Sequence, residues 1–355
     1  MRGVIWDGKK LHVDQLEVRD PGPGEVRVRV TASGICHSDL IPVDHGSDRL
    51  PMVLGHEAAG VIDCLGPDVD GWSVGQHVTV GCQTPCYHCG DCERENYSAC
   101  PEAWTAARAP FTWRGKPVYS CANSSSFAQQ IVVKVSQLYD TSGIPDVEAA
   151  LIGCAISTGV GAARNLGKIR RGENVVVIGL GGIGVNAIQG ARLGGAARIL
   201  AVDIEATKLA TAELYGATDL VTVEPSDRAD EVARKILAVT PRVDVVIECS
   251  GARTAMEAAT QLPYIGGRSV FIGLPPPDSR IHFSGNSFTW GRTFISGLNG
   301  GTTPGASFQR LVDEVRAGLI KVRPQITRVW PLDEVEDAIA ALRGGKVTRA
   351  VLDMK

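Results

Sequence analysis

Residues 82–101 read CQTPCYHCGDCERENYSACP and hold five of the chain's ten cysteines. Cys86, Cys89, Cys92 and Cys100 follow a C-x-x-C-x-x-C spacing, then a longer gap, then the fourth cysteine. Two-residue gaps on a turning loop bring sulfurs to one centre, and four thiolates in a tetrahedron suit zinc. Disulfides fit poorly, because cysteines this close on one loop rarely reach the required Cα geometry. An iron–sulfur cluster is the competing metal reading, and free thiols are the plain one. Four sulfur ligands leave no position for substrate, so a zinc here would fold a loop and catalyse nothing.

A second set is scattered. Cys36 sits in GICHSD, His56 in LGHEAAG and Cys154 in LIGCAIS. Two thiolates and one imidazole leave one tetrahedral corner open, the arrangement of a catalytic zinc. Taken singly, each has a blander reading: a buried cysteine is usually a small hydrophobe, and a histidine before glutamate is usually on the surface. The neighbours fit the metal reading. Asp39 can accept the other ring N–H of His56 and orient it. Glu57 can serve the metal or its surroundings, and Ser38 can bond a metal-bound alcohol and take its proton. Zinc brings such an alcohol's ionisation near neutrality.

A third signal is VVVIGLGGIG, where Gly179, Gly181 and Gly184 form G-x-G-x-x-G. It follows an apolar run and opens a helical stretch. Asp203 closes the next strand about twenty positions on, where a ribose ligand is expected. The plain alternative is a glycine-rich turn in any doubly wound fold. The charge on Asp203 would repel a 2′-phosphate, which favours NAD over NADP. Lys208 can add a ribose hydrogen bond, or can simply be solvated.

These residues must be held by two kinds of domain. The chain has 355 residues, enough for about two cores. Up to about residue 135 the pattern is short strands and turns, as in EVRVRVTASGIC, where valines alternate with charges. From about residue 150, ALIGCAISTGVGAARNLGKI reads as helical. Strands ENVVVIGL, RILAVDI, VDVVIECSG and GGRSVFIGLP then alternate with helices, which means βαβ units and a parallel sheet. Two amphipathic helices, SFQRLVDEVRAG and LDEVEDAIAALRGG, and a strand RAVLDM close the chain. Net charge is −3, with no basic surplus for nucleic acid. No apolar run has the length of a membrane span or signal core. A cytoplasmic protein is expected, and there a cysteine cluster points to metal before disulfides.

In their order these motifs resemble the zinc-dependent medium-chain alcohol dehydrogenases, closest to the branch of liver-type alcohol dehydrogenase and glutathione-dependent formaldehyde dehydrogenase. The resemblance covers essentially the whole chain, from GICHSD and GHE through the four-cysteine lobe, FTWRGKPV, SSFAQQIVV, LIGCAISTG and VVVIGLGGIG to GRTFISG and KVTRAVL. It implies an α/β protein with a GroES-like β-rich catalytic domain at 1–155 and 299–355, its structural zinc lobe at 82–101, and a Rossmann doubly wound NAD-binding domain at 156–298. It implies two zinc ions, a catalytic one on Cys36, His56 and Cys154 with Glu57 behind it, and a structural one on Cys86, Cys89, Cys92 and Cys100. Ser38 takes the proton-relay position. Thr158 lies where the cofactor meets the catalytic domain, and His37 and Arg349 fall where the family contacts the pyrophosphate. The implied reaction interconverts an alcohol and its aldehyde or ketone by hydride transfer with NAD. Relatives form homodimers or homotetramers, and the apolar strand of GRTFISGLNG is the expected seam.

The sequence departs from the family in three places. The relay histidine common three positions after the hydroxyl is replaced by Ile41, with His45 nearby as a candidate substitute. The connection between Cys100 and Phe111 is short. Pocket positions often filled by Phe match Cys82 and Cys121, beside Leu274 and Leu298, which leaves room for a bulky substrate. A thiol-adduct formaldehyde dehydrogenase, with Arg108 and Arg114 as candidate contacts, and a biosynthetic enal or carbonyl reductase use the same scaffold. A zinc- and nucleotide-binding sensor without turnover is the reading from a different class. The two cysteine sets should respond differently to substitution. Cys36→Ser is expected to abolish turnover and leave the fold intact, whereas Cys92→Ser destabilises the lobe. Near-normal turnover of Cys36→Ser would overturn the assignment of the open site.

Overall fold

The computed structural model describes residues 1–104 and 108–355. The chain divides into two compact units, Met1–Cys154 with Thr303–Lys355, and Ala155–Thr302.

The first unit is built around the long strand Glu25–Ile35. Its first half alternates as the sequence predicts. Val26, Val28 and Val30 are buried, and Arg27 on the other face holds Asp63 at 2.8 Å. From Thr31 to Ile35 every residue is buried, because the helical turns Asp146–Ala149 and Ala150–Gly153 pack against that half. The strand sits fourth in a seven-stranded sheet: Leu138–Asp140, His77–Val80, Glu57–Leu65, Glu25–Ile35, Arg349–Asp353 and Ile326–Pro331 in order, with Gln130–Lys134 also paired to it. A second sheet of six strands carries the N-terminal hairpin. The core of the unit gathers Val4, Ile5, Val28, Ile62, Phe127 and Trp330.

In the second unit six parallel strands lie in the order Asp219–Thr222, Arg198–Asp203, Asn174–Ile178, Val245–Glu248, Arg268–Phe271, Thr293–Ser296. This is the doubly wound order, whose switch point lies beside Asn174–Ile178. Val175, Val177, Val245 and Ile247 face one hydrophobic layer, and Val176, Val246, Leu200 and Val202 face the other. Burial on both faces explains why these strands read as unbroken apolar runs.

Two features differ from the sequence reading. The helix expected over ALIGCAISTGVGAARNLGKI is three pieces: a 3-10 turn Ala150–Gly153, an α-helix Ala155–Gly161 and a π-helical turn Ala162–Leu166. Cys154 stands at the break with φ −138° and ψ −65°, outside helical geometry. The strands Asp219–Thr222 and Ile326–Pro331 and the helix Ala229–Val239 were not anticipated, because the two strands carry exposed and half-buried residues that dilute their pattern. Among the described residues no single helix is long and apolar enough to cross a membrane.

Ile62 is wholly buried in the first unit's core. Ile62→Ala is expected to destabilise that unit by about 2–5 kcal/mol, read as a lower denaturant midpoint by circular dichroism. Unfolding indistinguishable from the parent chain would contradict this packing.

Candidate active site and metal centres

The long strand ends by delivering Cys36 into a tight turn, His37–Leu40. Asp39 builds that turn. Its Oδ2 accepts the Cys36 N–H at 2.9 Å, while its own N–H donates to the Cys36 carbonyl at 3.1 Å. Its Oδ1 lies 2.5 Å from His56 Nδ1. Asp39 has no solvent exposure, so nothing dilutes this contact. His56 immediately precedes the strand Glu57–Leu65, and the ladder sets Gly34 opposite Glu57. Cys36 and His56, distant in sequence, are thereby brought to the same end of two paired strands. Cys154 joins them from the break after Ala150–Gly153.

The ligand atoms of Cys36, His56, Glu57 and Cys154 all lie within 4.8 Å of one another. The chemistry of this set fits a dication. The Cys154 contact draws the Cys36 thiol well below its usual range, and the same contact pushes Cys154 well above it. The two sulfurs compete for one negative charge. Against a burial that disfavours its charge, Asp39 and the Cys154 sulfur hold the His56 ring protonated well above its ordinary range. One zinc ion would take both thiolates and the ring's lone pair together. Ser38 borders the same centre, its hydroxyl 3.1 Å from Cys36 Sγ, to which it donates, and 3.4 Å from His56 Nε2.

Glu57 is wholly buried. Burial raises its carboxyl to about 7, opposed by the charge of Arg349. Arg349 Nη2 donates to Glu57 Oε2, and Oε1 has no partner among the described residues. A buried orphan oxygen beside two sulfurs and an imidazole is a donor to which a cation would answer. Gly34 makes the space, since a Cβ there would stand 2.0 Å from Glu57 Oε2. This arginine pairing escaped the sequence reading, because its partners are separated by 292 positions and neither carries a spacing signal. Arg349 was expected at the pyrophosphate. The structure places its side chain 4% exposed, with the guanidinium on Glu57.

Cys82 and Cys121 lie close enough to His56 for its charge to act on both thiols. Burial keeps them neutral, raising Cys82 and pushing Cys121 up to about 12. Leu274 and Leu298, the other expected pocket residues, are exposed on the second unit. Ile41 and His45 are both exposed on the short helix Ile41–His45. Arg114 stacks on Trp113 and bonds Asp14, and Arg108 lies within the fields of Glu25, Arg19 and Glu102. Residues 105–107 of the short connection before Phe111 lie outside the described residues.

Cys86, Cys89, Cys92 and Cys100 also bring their sulfurs within 4.8 Å of one another. Cys86 Sγ is 3.9 Å from Cys92 Sγ, and the Cys86 N–H donates to Cys100 Sγ at 3.3 Å. The His88 backbone N–H lowers the Cys86 thiol to about 6. All ten cysteines are free of disulfides, and four convergent sulfurs fit a closed zinc site.

In the second unit Gly179 turns at φ +89°. A Cβ on Gly184 would stand 1.8 Å from the Gly179 carbonyl, so only glycine lets the helix Gly182–Leu193 start this close to the strand. Gly181 is that helix's N-cap, with open space around its Cα. Asp203 accepts the Leu180 N–H at 2.6 Å and the Glu205 N–H at 2.9 Å. Its carboxylate is thus fixed beside the glycine loop. Lys208 is half-buried on the helix Ala206–Tyr215. Thr158 is buried and donates to Asn299 Oδ1 at 3.3 Å, while His37 is exposed.

Asp39→Asn would keep the shape of the turn and remove the charge that orients His56. Zinc affinity at the open site is expected to fall about 10–100-fold, measured by chelator competition on the purified chain. Parent-like affinity would show that the carboxylate does not support the ring.

Comparison with known proteins follows the same lines. Residues 22–146 match the family described as alcohol dehydrogenase GroES-like domain, and residues 182–317 match zinc-binding dehydrogenase. The chain is 31% identical to alcohol dehydrogenase class-2 isozyme 2 of Oryctolagus cuniculus, over 98% of this chain and 96% of that protein. It is also 31% identical to S-(hydroxymethyl)glutathione dehydrogenase of Escherichia coli, over 97% and 96%. Its fold matches an alcohol dehydrogenase zinc-binding domain protein from Burkholderia ambifaria with a TM-score of 0.91 and 27% identity, over 100% of this chain and 98% of that one. Benzyl alcohol dehydrogenase from Acinetobacter calcoaceticus matches with a TM-score of 0.90 and 26% identity, over 100% and 99%. The two family matches, and the near-complete coverage of relatives, show that the chain belongs to the zinc-dependent medium-chain alcohol dehydrogenase family, with a GroES-like and a Rossmann-type part.

Proposed function

We propose that the chain is an NAD-dependent alcohol dehydrogenase acting on a bulky primary or secondary alcohol, or on the matching carbonyl compound in reverse. The observation that carries this reading is the convergence of Cys36, His56 and Cys154 with a buried glutamate at their back. Zinc bound there supplies Lewis acidity, which brings the alcohol hydroxyl's ionisation near neutral pH, and NAD supplies the hydride acceptor.

The protein's own residues do the rest. Cys36, Cys154 and His56 hold the ion, and Asp39 fixes the tautomer and direction of the His56 ring through Nδ1. Ser38 Oγ stands at the edge of the same donors and receives the substrate's hydroxyl proton. Ile41 cannot carry that proton onward, so it leaves from Ser38 to water. Gly179, Gly181 and Gly184 let the backbone approach the pyrophosphate, and the Asp203 carboxylate binds a ribose hydroxyl and repels a 2′-phosphate. Lys208, Thr158 and His37 complete the cofactor contacts. Cys82 and Cys121 are small where a Phe would narrow the pocket. The likeness to benzyl alcohol dehydrogenase supports an aromatic or similarly bulky substrate.

The likeness to S-(hydroxymethyl)glutathione dehydrogenase supports a second reading, oxidation of a thiol adduct. It is the lesser one, because Arg114 is engaged with Asp14 and Trp113. The edge strand Thr293–Ser296, with Phe288 and Trp290 exposed beside it, supports assembly with further copies of the chain. A cytoplasmic location suits ten reduced cysteines.

The test is zinc analysis of the purified chain with NADH absorbance on a panel of aliphatic, aromatic and thiol-adduct alcohols. About two zinc ions per chain and turnover of aromatic alcohols with NAD are expected. Bound zinc without turnover of any alcohol or carbonyl would leave the sensor reading standing. Asp203→Ala is expected to lower the preference for NAD over NADP by about tenfold. An unchanged preference would remove Asp203 from cofactor selection.

A further inference from the structure

We propose that Cys86, His88 and Glu102 form an outer docking site through which zinc enters and leaves the four-sulfur lobe. The proposal rests on the reading of that lobe as a zinc site. The ligand atoms of these three residues lie within 4.8 Å of one another, as do those of the four lobe cysteines. Cys86 belongs to both sets. One sulfur can therefore hold an ion while its remaining ligands are exchanged.

Burial is graded across the two sets. Cys92 and Cys100 are buried, Cys86 and Cys89 half-buried, and His88 exposed. The Glu102 side chain is 48% exposed. An ion arriving from solvent thus meets Glu102 and His88 first, shares Cys86 next, and reaches Cys92 and Cys100 last. The ligand chemistry runs the same way, from a hard carboxylate through an imidazole to soft thiolates. A hydrated dication sheds its waters more easily one at a time than all at once into a dry sulfur cage.

Both outer residues are anchored. The Nδ1 of His88 lies 2.7 Å from the Cys86 carbonyl oxygen, which holds the ring over its own loop. The Glu102 carbonyl accepts the Thr84 hydroxyl at 3.0 Å and the Asn123 amide at 3.1 Å. Its backbone is pinned while its carboxylate points outward. There Lys134 Nζ stands 3.4 Å from Oε2. An ion pair this exposed is worth at most about 1 kcal/mol, so the ammonium yields to a dication.

A ligand used only in transit changes both rates by the same factor and leaves the equilibrium alone. That signature separates this role from an ordinary supporting contact. The experiment uses the full chain carrying Cys36→Ser, so that the lobe holds the remaining ion, with and without His88→Ala and Glu102→Gln. Zinc loading and chelator-driven release are followed with a metallochromic dye, and equilibrium affinity and melting temperature are measured alongside. The outer substitutions are expected to slow loading and release alike by about tenfold, with affinity and melting unchanged. Unchanged rates overturn the proposal. So does a loss of affinity at constant loading rate, or an additional resident ion lost with His88 and Glu102. A lobe that binds no zinc overturns this proposal together with the zinc reading, whereas a zinc-loaded lobe with parent-like rates overturns the route alone.

Discussion

The open metal centre depends on one buried carboxylate. Asp39 binds the Cys36 N–H with one oxygen and the His56 ring with the other. The first bond closes the turn that aims Cys36 back toward the sheet, and the second fixes which ring nitrogen of His56 faces the sulfurs. With no solvent exposure, the carboxylate acts in a medium where such contacts are strong and an unpaired charge is costly. Two ligands adjoining different strands are thus positioned by the same rigid group.

A second buried charge system lies behind the first. Glu57 and Arg349 are brought together by strands flanking Glu25–Ile35 on its two sides. A buried ion pair is no automatic source of stability, since desolvation offsets its attraction. Removing one partner would leave the other charge stranded, at about 3–5 kcal/mol. Here the pair leaves one glutamate oxygen without a partner among the described residues, in a carboxylate grouped with two sulfurs and an imidazole. The lack of a side chain at Gly34 is what admits that carboxylate. Ser126 holds the backbone of Glu57, accepting its N–H at 3.1 Å and the Ser33 hydroxyl at 2.6 Å.

The four-cysteine lobe and the glycine loop show a different economy of means. Each is made from residues close in sequence. In the lobe, short gaps and tight turns converge the sulfurs without help from distant strands. In the loop, Gly179 and Gly184 remove side chains where strand and helix nearly touch, and Asp203 caps the Leu180 N–H from the neighbouring strand. Local spacing carries most of the information for both.

That contrast explains what could be read in advance. The four lobe sulfurs, the glycine loop, the alternation in Glu25–Ile35 and the buried parallel strands were legible because their physics is local: spacing, turn chemistry and periodicity. The association of Cys36 with His56 and Cys154 was suggested by ligand type and by Asp39, Glu57 and Ser38 beside them, and made specific by the resemblance, since nothing in their separation requires them to meet. The broken helix at Cys154 could not be seen, because the apolar run continues across it and the break serves a contact made elsewhere. The Glu57–Arg349 pair and the space at Gly34 were equally hidden. Sequence alone determined most of the strongly patterned elements and the ligand types. Tertiary structure decided which buried groups share a charge, because that depends on strand register and desolvation, which no local pattern encodes.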